Sequence, residues 1–300
     1  MAVHKRAYRP YDGPLTEERR RFLVLPRYSF MELFESRVLL AYFVLCFVPF
    51  LVELAILYVA NSAPARALLG IDRPPDAVRA EFFVATLTIQ STLAFLLAAW
   101  VAPVLVSPDL VNGALPLYLS RPFSRADYIA GKALVLVGLL SAITWAPGLV
   151  LFGVQAGLSG RQWAWDNLRV PGAILLGSAI WIAVLTLLGL AISACIKWRL
   201  VASAGLIATF FMGSAFGEMW REVLRNPWGR LANLTYLVGI VWRDLFDLTR
   251  YRAAPIQPLD DASLASADIP TWAAWAMLLA TCAFCTWLLN RRLRAREVVA

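Results

Sequence analysis

Six stretches of this chain are each apolar for about 20 residues, and that feature decides what it can fold into. About 30 Å of hydrocarbon is crossed at about 1.5 Å per residue, so each run has the length of a transmembrane helix. The windows fall at about 38–60, 82–106, 133–154, 171–196, 200–217 and 271–290, the fifth being the shortest. They predict an all-α polytopic membrane protein. Residues 1–25 read as a basic cytoplasmic tail and 26–300 as a single transmembrane domain. Composition agrees: 60% of residues are hydrophobic, 16% are charged and the mean hydropathy is +0.65. Soluble domains run near roughly 45–50% apolar and about 25% charged. They cannot hide such an excess, whereas a bilayer accepts apolar side chains on every face of a helix.

The formal net charge of +8 does not point to nucleic acid, which calls for basic residues clustered on one soluble face. Here the cations flank apolar runs, as in the positive-inside pattern. The inside set is Arg27, Arg37, Arg121, Arg125, Lys132, Lys197, Arg199, Arg291, Arg292, Arg294 and Arg296, against Arg66, Arg73, Arg79, Arg161 and Arg169 in short loops opposite. Both termini are therefore expected in the cytoplasm, in a cell membrane of the bacterial cytoplasmic kind. The first residues carry no apolar core or small-residue cleavage site, so they do not read as a signal peptide.

Cys46, Cys195, Cys282 and Cys285 all lie in apolar stretches and suggest no disulfide framework, and His4 is the only histidine, which excludes a His-built metal site. Trp198, Trp272, Trp275 and Trp287 fall near span ends, where indoles favour headgroups, while Trp145 and Trp181 are expected to pack between helices. Gly153 with Gly157, and Gly213 with Gly217, are G-x-x-x-G pairs of the kind that lets helices approach, although chance accounts for such pairs more readily.

Three segments outside the spans carry structure. Ser29 and Glu32 form a capping-box pattern with Tyr28 and Leu33 as a staple, so a helix should start there. It lies in the membrane interface or simply extends the first span. Between spans five and six, Asn226-Pro227 reads as a helix start, and Leu231, Leu234, Val238, Val241, Leu245 and Leu248 form a stripe. One amphipathic outer helix fits, resting on the outer leaflet, capping a transport path or packing on another subunit.

The segment between spans two and three is the most informative. Ser107 can cap a helix starting at Pro108, with Leu110, Val111, Ala114, Leu117 and Tyr118 at helical spacing and a break near Pro116. A second start follows at Ser124, with Asp127 three residues on. An apolar-faced helix held outside the bilayer between basic anchors needs a partner, either lipid or protein.

Asn112-Gly113, then Ser120-Arg121-Pro122-Phe123-Ser124-Arg125, then Gly131-Lys132 opening the third span, resemble the coupling region of ABC-2 type permeases. Relatives commonly have an acid just before the glycine and a threonine after it, whereas here the nearest acid is Asp109 and Ala114 follows. The resemblance implies an N-terminal interfacial elbow helix before span one. It also implies an ATPase-docking coupling loop built from Asp109, Leu110, Asn112, Gly113, Leu117, Tyr118, Arg121, Pro122, Ser124 and Arg125. The implied partners are an ATP-binding cassette ATPase subunit, which holds the ATP and Mg, and a second permease subunit in a homo- or heterodimer, with export as the usual task. This chain is not itself expected to be an enzyme. Its only Gly-Lys has Ala126 where a P-loop needs its first glycine and Ala133 where it needs Ser or Thr.

Within the spans, Glu53 is the candidate substrate-path residue, because an acid at membrane depth is costly. It also fits a place near the outer headgroups or a pairing with a polar neighbour. Gln90 is a weaker candidate. Two other function classes stay open, an intramembrane enzyme and a non-transporting membrane scaffold or assembly factor. The first calls for paired acids, histidines or an activated nucleophile at span depth, where Glu53 stands alone.

Overall fold

Ser36 has extended backbone (φ −74°, ψ 108°) and accepts a hydrogen bond from the Leu39 amide, so it ends one helix and caps the next. The helix before it, α1 (Val24–Glu35), is thus separate from span one and not an extension of it. The expected start at Ser29 is corrected: the helix begins five residues before it, and Ser29 lies buried inside. Packing overrides the local capping signal here. Phe30 meets span three so closely that a Cβ at Gly138 would lie 3.0 Å from its ring.

The computed structural model describes residues 23–70, 79–113, 124–248 and 269–292, with the side chain of Leu110 left out. Most of the expected tail, 1–25, thus lies outside the described residues. Among these residues the chain is helical with no strand, and six segments are long and apolar enough to cross a membrane. They are Arg37–Asn61, Ala80–Asp109, Arg125–Ser159, Arg169–Cys195, Arg199–Leu224 and Thr271–Arg292. The fifth is not the short one: its 26 residues run on past Gly217, and the sixth, with 22, is shorter. Spans two and four form the centre, 67% and 61% buried, while spans one, five and six are 17%, 22% and 28% buried and face outward. The end of the bundle that carries the connection between spans two and three is called proximal below, and the opposite end distal.

Two spans are jointed by proline. Span one consists of α2 (Arg37–Leu45) and α3 (Val48–Asn61), with Pro49 at the start of the second piece. A short helix, α4 (Ala63–Leu68), caps its distal end. Span three consists of α6 (Arg125–Ile143) and α7 (Trp145–Ser159), parted at Thr144 (φ −106°, ψ −88°). Pro147 has no amide hydrogen for the Ile143 carbonyl, which explains why the ladder stops there. Span two, α5 (Ala80–Val111), runs through Pro103 and Pro108 as one helix. After α8 (Arg161–Asp166), span four is α9 (Arg169–Cys195) and span five α10 (Arg199–Leu224).

The expected single amphipathic helix after span five is instead two pieces. Asn226 caps a 3-10 turn over Pro227–Ala232, and Asn233, accepting from the Tyr236 amide at 3.0 Å, caps α11 (Leu234–Leu245). The turn runs back alongside α10: a Cβ at Gly217 would meet Arg230 Cα at 3.3 Å, and one at Gly213 would meet the Ala232 carbonyl oxygen at 2.5 Å. Helix α11 then returns toward the distal end between spans four, five and six. The Trp242 indole donates to Gly177 O at 3.0 Å. At the distal end Arg169 caps the last turn of α11, donating to Leu245 O at 2.9 Å and Asp244 O at 2.7 Å and pairing with Asp247 at 3.1 Å. Buried Arg230 is held by Glu218 at 2.9 Å, and its guanidinium lies 4.7 Å from the centre of the Tyr236 ring. Segment 226–246 is therefore a hairpin packed into the bundle, and its stripe meets the chain's own spans. Span six, α12 (Thr271–Arg292), closes it.

The G-x-x-x-G pairs thus divide, since a Cβ at Gly153 or Gly157 would touch nothing. Gly153→Ala should leave thermal stability in detergent unchanged or raised by up to about 1 kcal/mol, as glycine is a poor helix former. Gly213→Ala should lower it by roughly 1–3 kcal/mol, because backbone must shift. Equal effects at the two positions would contradict the packed hairpin.

Candidate functional site

The segment between spans two and three is the candidate site, and its flanks are built from the residues upward. Span two does not stop at Ser107. Helix α5 continues through Pro108 to Val111, so the expected start of a separate helix at Ser107 is corrected. The helix ends in a turn closed by the Asn112 amide on Pro108 O, and Gly113 at φ +62° supplies the left-handed residue that terminates it. Residues 114–123 follow, so Leu117, Tyr118, Arg121 and Pro122 lie outside the described residues.

On the far side the chain re-enters helix at the predicted place. The Ser124 hydroxyl oxygen accepts from the Asp127 amide at 3.1 Å, and the Asp127 carboxylate accepts from the Ser124 amide at 3.0 Å. That reciprocal pair is a complete capping box. Arg125 and Ser124 are exposed, as are Asn112 and Gly113 on the opposite flank.

Asp109 faces inward and ties the flanks together. Its Oδ2 accepts from the Tyr128 hydroxyl at 2.7 Å and pairs with Lys132 Nζ at 3.1 Å. Tyr128 and Lys132 stand four residues apart and so share one face of α6. Both are buried, with 2% and 7% exposure. A lysine this deep needs a carboxylate, and a carboxylate in the last turn of a helix, near its negative end, needs a cation. The two demands meet in one contact. Ser107 extends the tie to a third element, donating to Ile196 O at 3.1 Å where span four ends. Beside it lies a groove of about 240 Å³ lined by Ser107, Pro108, Val111, Asn112, Lys197 and Arg199.

The second candidate, Glu53, is 6% exposed and sits on α3, which packs against spans two and three. Its side-chain partner is Thr86 of span two, and its Oε2 has no hydrogen-bond partner among the described residues. More distally, Asn61 donates to Gln155 Oε1 at 2.9 Å, Gln155 donates to Ser159 at 2.7 Å, and Ser159 donates back to Asn61 at 3.2 Å. Glu53 and the loop flanks are thus far apart along the spans and form two separate places. Trp181 packs between helices as expected, its indole donating to Ser91 O at 3.0 Å.

Sequence reasoning passed over the Asp109–Lys132–Tyr128 knot. The signal was there: a lysine inside an apolar helix, with a tyrosine one turn before it, requires a buried acid nearby.

No protein-family model matches the chain, and no curated protein matches it.

The knot yields a stability test. Lys132→Met leaves the Asp109 carboxylate uncompensated and should cost roughly 3 kcal/mol, toward the lower end for a pair that keeps some solvent contact. Adding Asp109→Leu should recover most of the loss. Thermal unfolding of the purified protein in detergent reads both, and a double variant as unstable as the single one would contradict the pairing.

Proposed function

We propose that this chain is the membrane-spanning permease subunit of an ABC-2 type ABC transporter. It works as a pair with an identical or related subunit, and a separate ATP-binding subunit supplies the energy by hydrolysing ATP. In this reading the proximal end is cytoplasmic and segment 114–123 is the docking surface. Transport is export, across a cell membrane of the bacterial cytoplasmic kind. α1 is the elbow helix at the membrane surface.

The observation that carries the reading is how the docking segment is mounted. A loop that receives force from a partner must pass it on without yielding. Here one flank ends span two, the other opens span three, and the buried Asp109–Lys132 contact joins them. The Ser107 bond carries the same tie to span four. A push on the loop therefore moves three spans together. Asp109 then acts by positioning the loop, while Asn112, Gly113, Ser124 and Arg125, being exposed, are available for contact. Leu110, Leu117, Tyr118, Arg121 and Pro122 complete the docking set by their place in the sequence. Glu53 lines the path that the substrate takes past spans one and two.

The test is co-purification from native membranes in mild detergent. An ATP-binding subunit should accompany the chain, and the purified chain alone should not hydrolyse ATP. Leu117→Asp should abolish the association while membrane insertion stays intact. A cysteine placed at residue 117 should react with an impermeant maleimide only after the cells are opened. Survival of the complex in Leu117→Asp, or labelling of residue 117 from outside intact cells, would overturn the assignment.

A further inference from the structure

The two proline joints lie at one level of the bundle, and a single side chain answers both. Gln90 is fully buried in span two. With its amide turned to donate, Nε2 lies 2.9 Å from Ile143 O and 3.2 Å from Cys46 O. The opposite orientation would set its own oxygen against two carbonyl oxygens, which no buried amide tolerates. Each of those carbonyls sits at a joint. Ile143 ends α6 and would otherwise bond the missing amide hydrogen of Pro147. Cys46 falls between α2 and α3. An amide nitrogen carries two hydrogens, so one glutamine serves both carbonyls.

The pieces on either side of this level form two groups. Distally, α3 and α7 pack on each other, and the Asn61–Gln155–Ser159 ring of hydrogen bonds ties their ends. Proximally, α1 packs on α6 and continues into α2, with Phe34 and Phe43 in edge-to-face contact at 5.6 Å across the bend. Span two passes both groups without a break and supplies the bridging side chain.

We propose that Gln90 is the latch of a hinge, about which the distal halves of spans one and three rock as one body against span two. The motion needs backbone change at 46–48 and at 143–144, and it costs the two Gln90 bonds together with a shift in the packing of α7 on spans two and four, where Phe83 meets Phe152 and Ile174 meets Gly148. It opens the seam between α3 and span two, in which Glu53 and Thr86 lie. The hinge is independent of the transporter reading, since it concerns only how this bundle moves.

The test is distance measurement between spin labels in the full chain, reconstituted in bilayers, with its four native cysteines replaced by alanine. One pair, at Leu158 and Leu176, reports the distal body against span four. The other, at Leu134 and Leu200, reports the proximal part. All four positions are exposed. Helix α7 is ~22 Å long at 1.5 Å per residue, so a tilt of about 15° moves its tip by ~6 Å. Gln90→Met keeps the volume and removes the donors. It should shift the 158–176 distance, or add a second population, on that scale while leaving 134–200 unchanged. Pro147→Ala returns an amide hydrogen to Ile143 O and should make the 158–176 distribution narrower than in the parent. An unchanged 158–176 distance in Gln90→Met, or an equal change in both pairs, would overturn the hinge. If Gln90→Met does not accumulate, Pro147→Ala alone decides, and an unaltered width overturns it.

Discussion

Away from water, a backbone carbonyl that loses its helical donor must find another, and that requirement organises this bundle from its middle outward. Pro49 and Pro147 each interrupt a span where the surrounding side chains are apolar; Gln90 replaces the donor that Pro147 lacks, at Ile143 O, and serves the Cys46 carbonyl in the break before Pro49. Other side chains make related ties to backbone oxygens. Tyr42 donates to Leu93 O, Trp181 to Ser91 O and Trp242 to Gly177 O, each across a helix boundary. Each is a mostly apolar side chain with one polar donor, so it adds packing and a hydrogen bond together. The interior is held by donors to backbone more than by side-chain pairs.

Charge obeys the same rule at the ends. Lys132 is buried only because Asp109 meets it, and Arg230 only because Glu218 and the Tyr236 ring do. Arg169 spends its guanidinium on the open carbonyls at the end of α11. These contacts sit where a connection leaves or joins a span, so each fixes the path of a connecting segment. Glu53 and Glu81 depart from the pattern: one oxygen of Glu53, and both of Glu81 in the first turn of span two, lack a hydrogen-bond partner among the described residues. Glu53 lies in the seam that hinge motion would open.

What was legible in the sequence follows from how strong each signal is. Spans were legible because a run of about 20 apolar residues has few other uses. The Ser124–Asp127 cap was legible because both partners of a reciprocal bond were present at the right spacing. Ser29 carried a similar pattern and misled. A cap contributes only about 1 kcal/mol, and the contact of Phe30 with Gly138 keeps the chain helical through that point. Leu231 and Leu234 kept one stripe running across a real break, because a 3-10 turn also repeats every three residues. Asn233 was the overlooked cue, an N-cap residue off the stripe and directly before Leu234. Within the site, the Ser124 flank was readable, but the end at Gly113 was not, because the apolar spacing from Leu110 to Tyr118 carried the expected helix across it; nor was the inward turn of Asp109, since it depends on Lys132 arriving from another span.

The unbroken span and the jointed ones have different mechanical roles. Asp109 and Gln90 are on the same helix, ~28 Å apart at 1.5 Å per residue, so whatever displaces the proximal end of span two is delivered to both joints. Lys132 lies on α6, on the proximal side of Thr144. The Asp109 contact therefore couples only the proximal half of span three to span two, Gln90 holds the end of that half at Ile143, and the distal half meets span two by packing, with the Phe83 and Phe152 ring centres 6.0 Å apart. A rigid rod pinned near one end to a jointed neighbour turns a small axial movement into a tilt of the free half, because that half can yield only where its ladder is already open. Pro49 and Pro147 set where the bundle bends, while Pro103 and Pro108 leave span two one helix, and the Asp109–Lys132 contact sets which half is held.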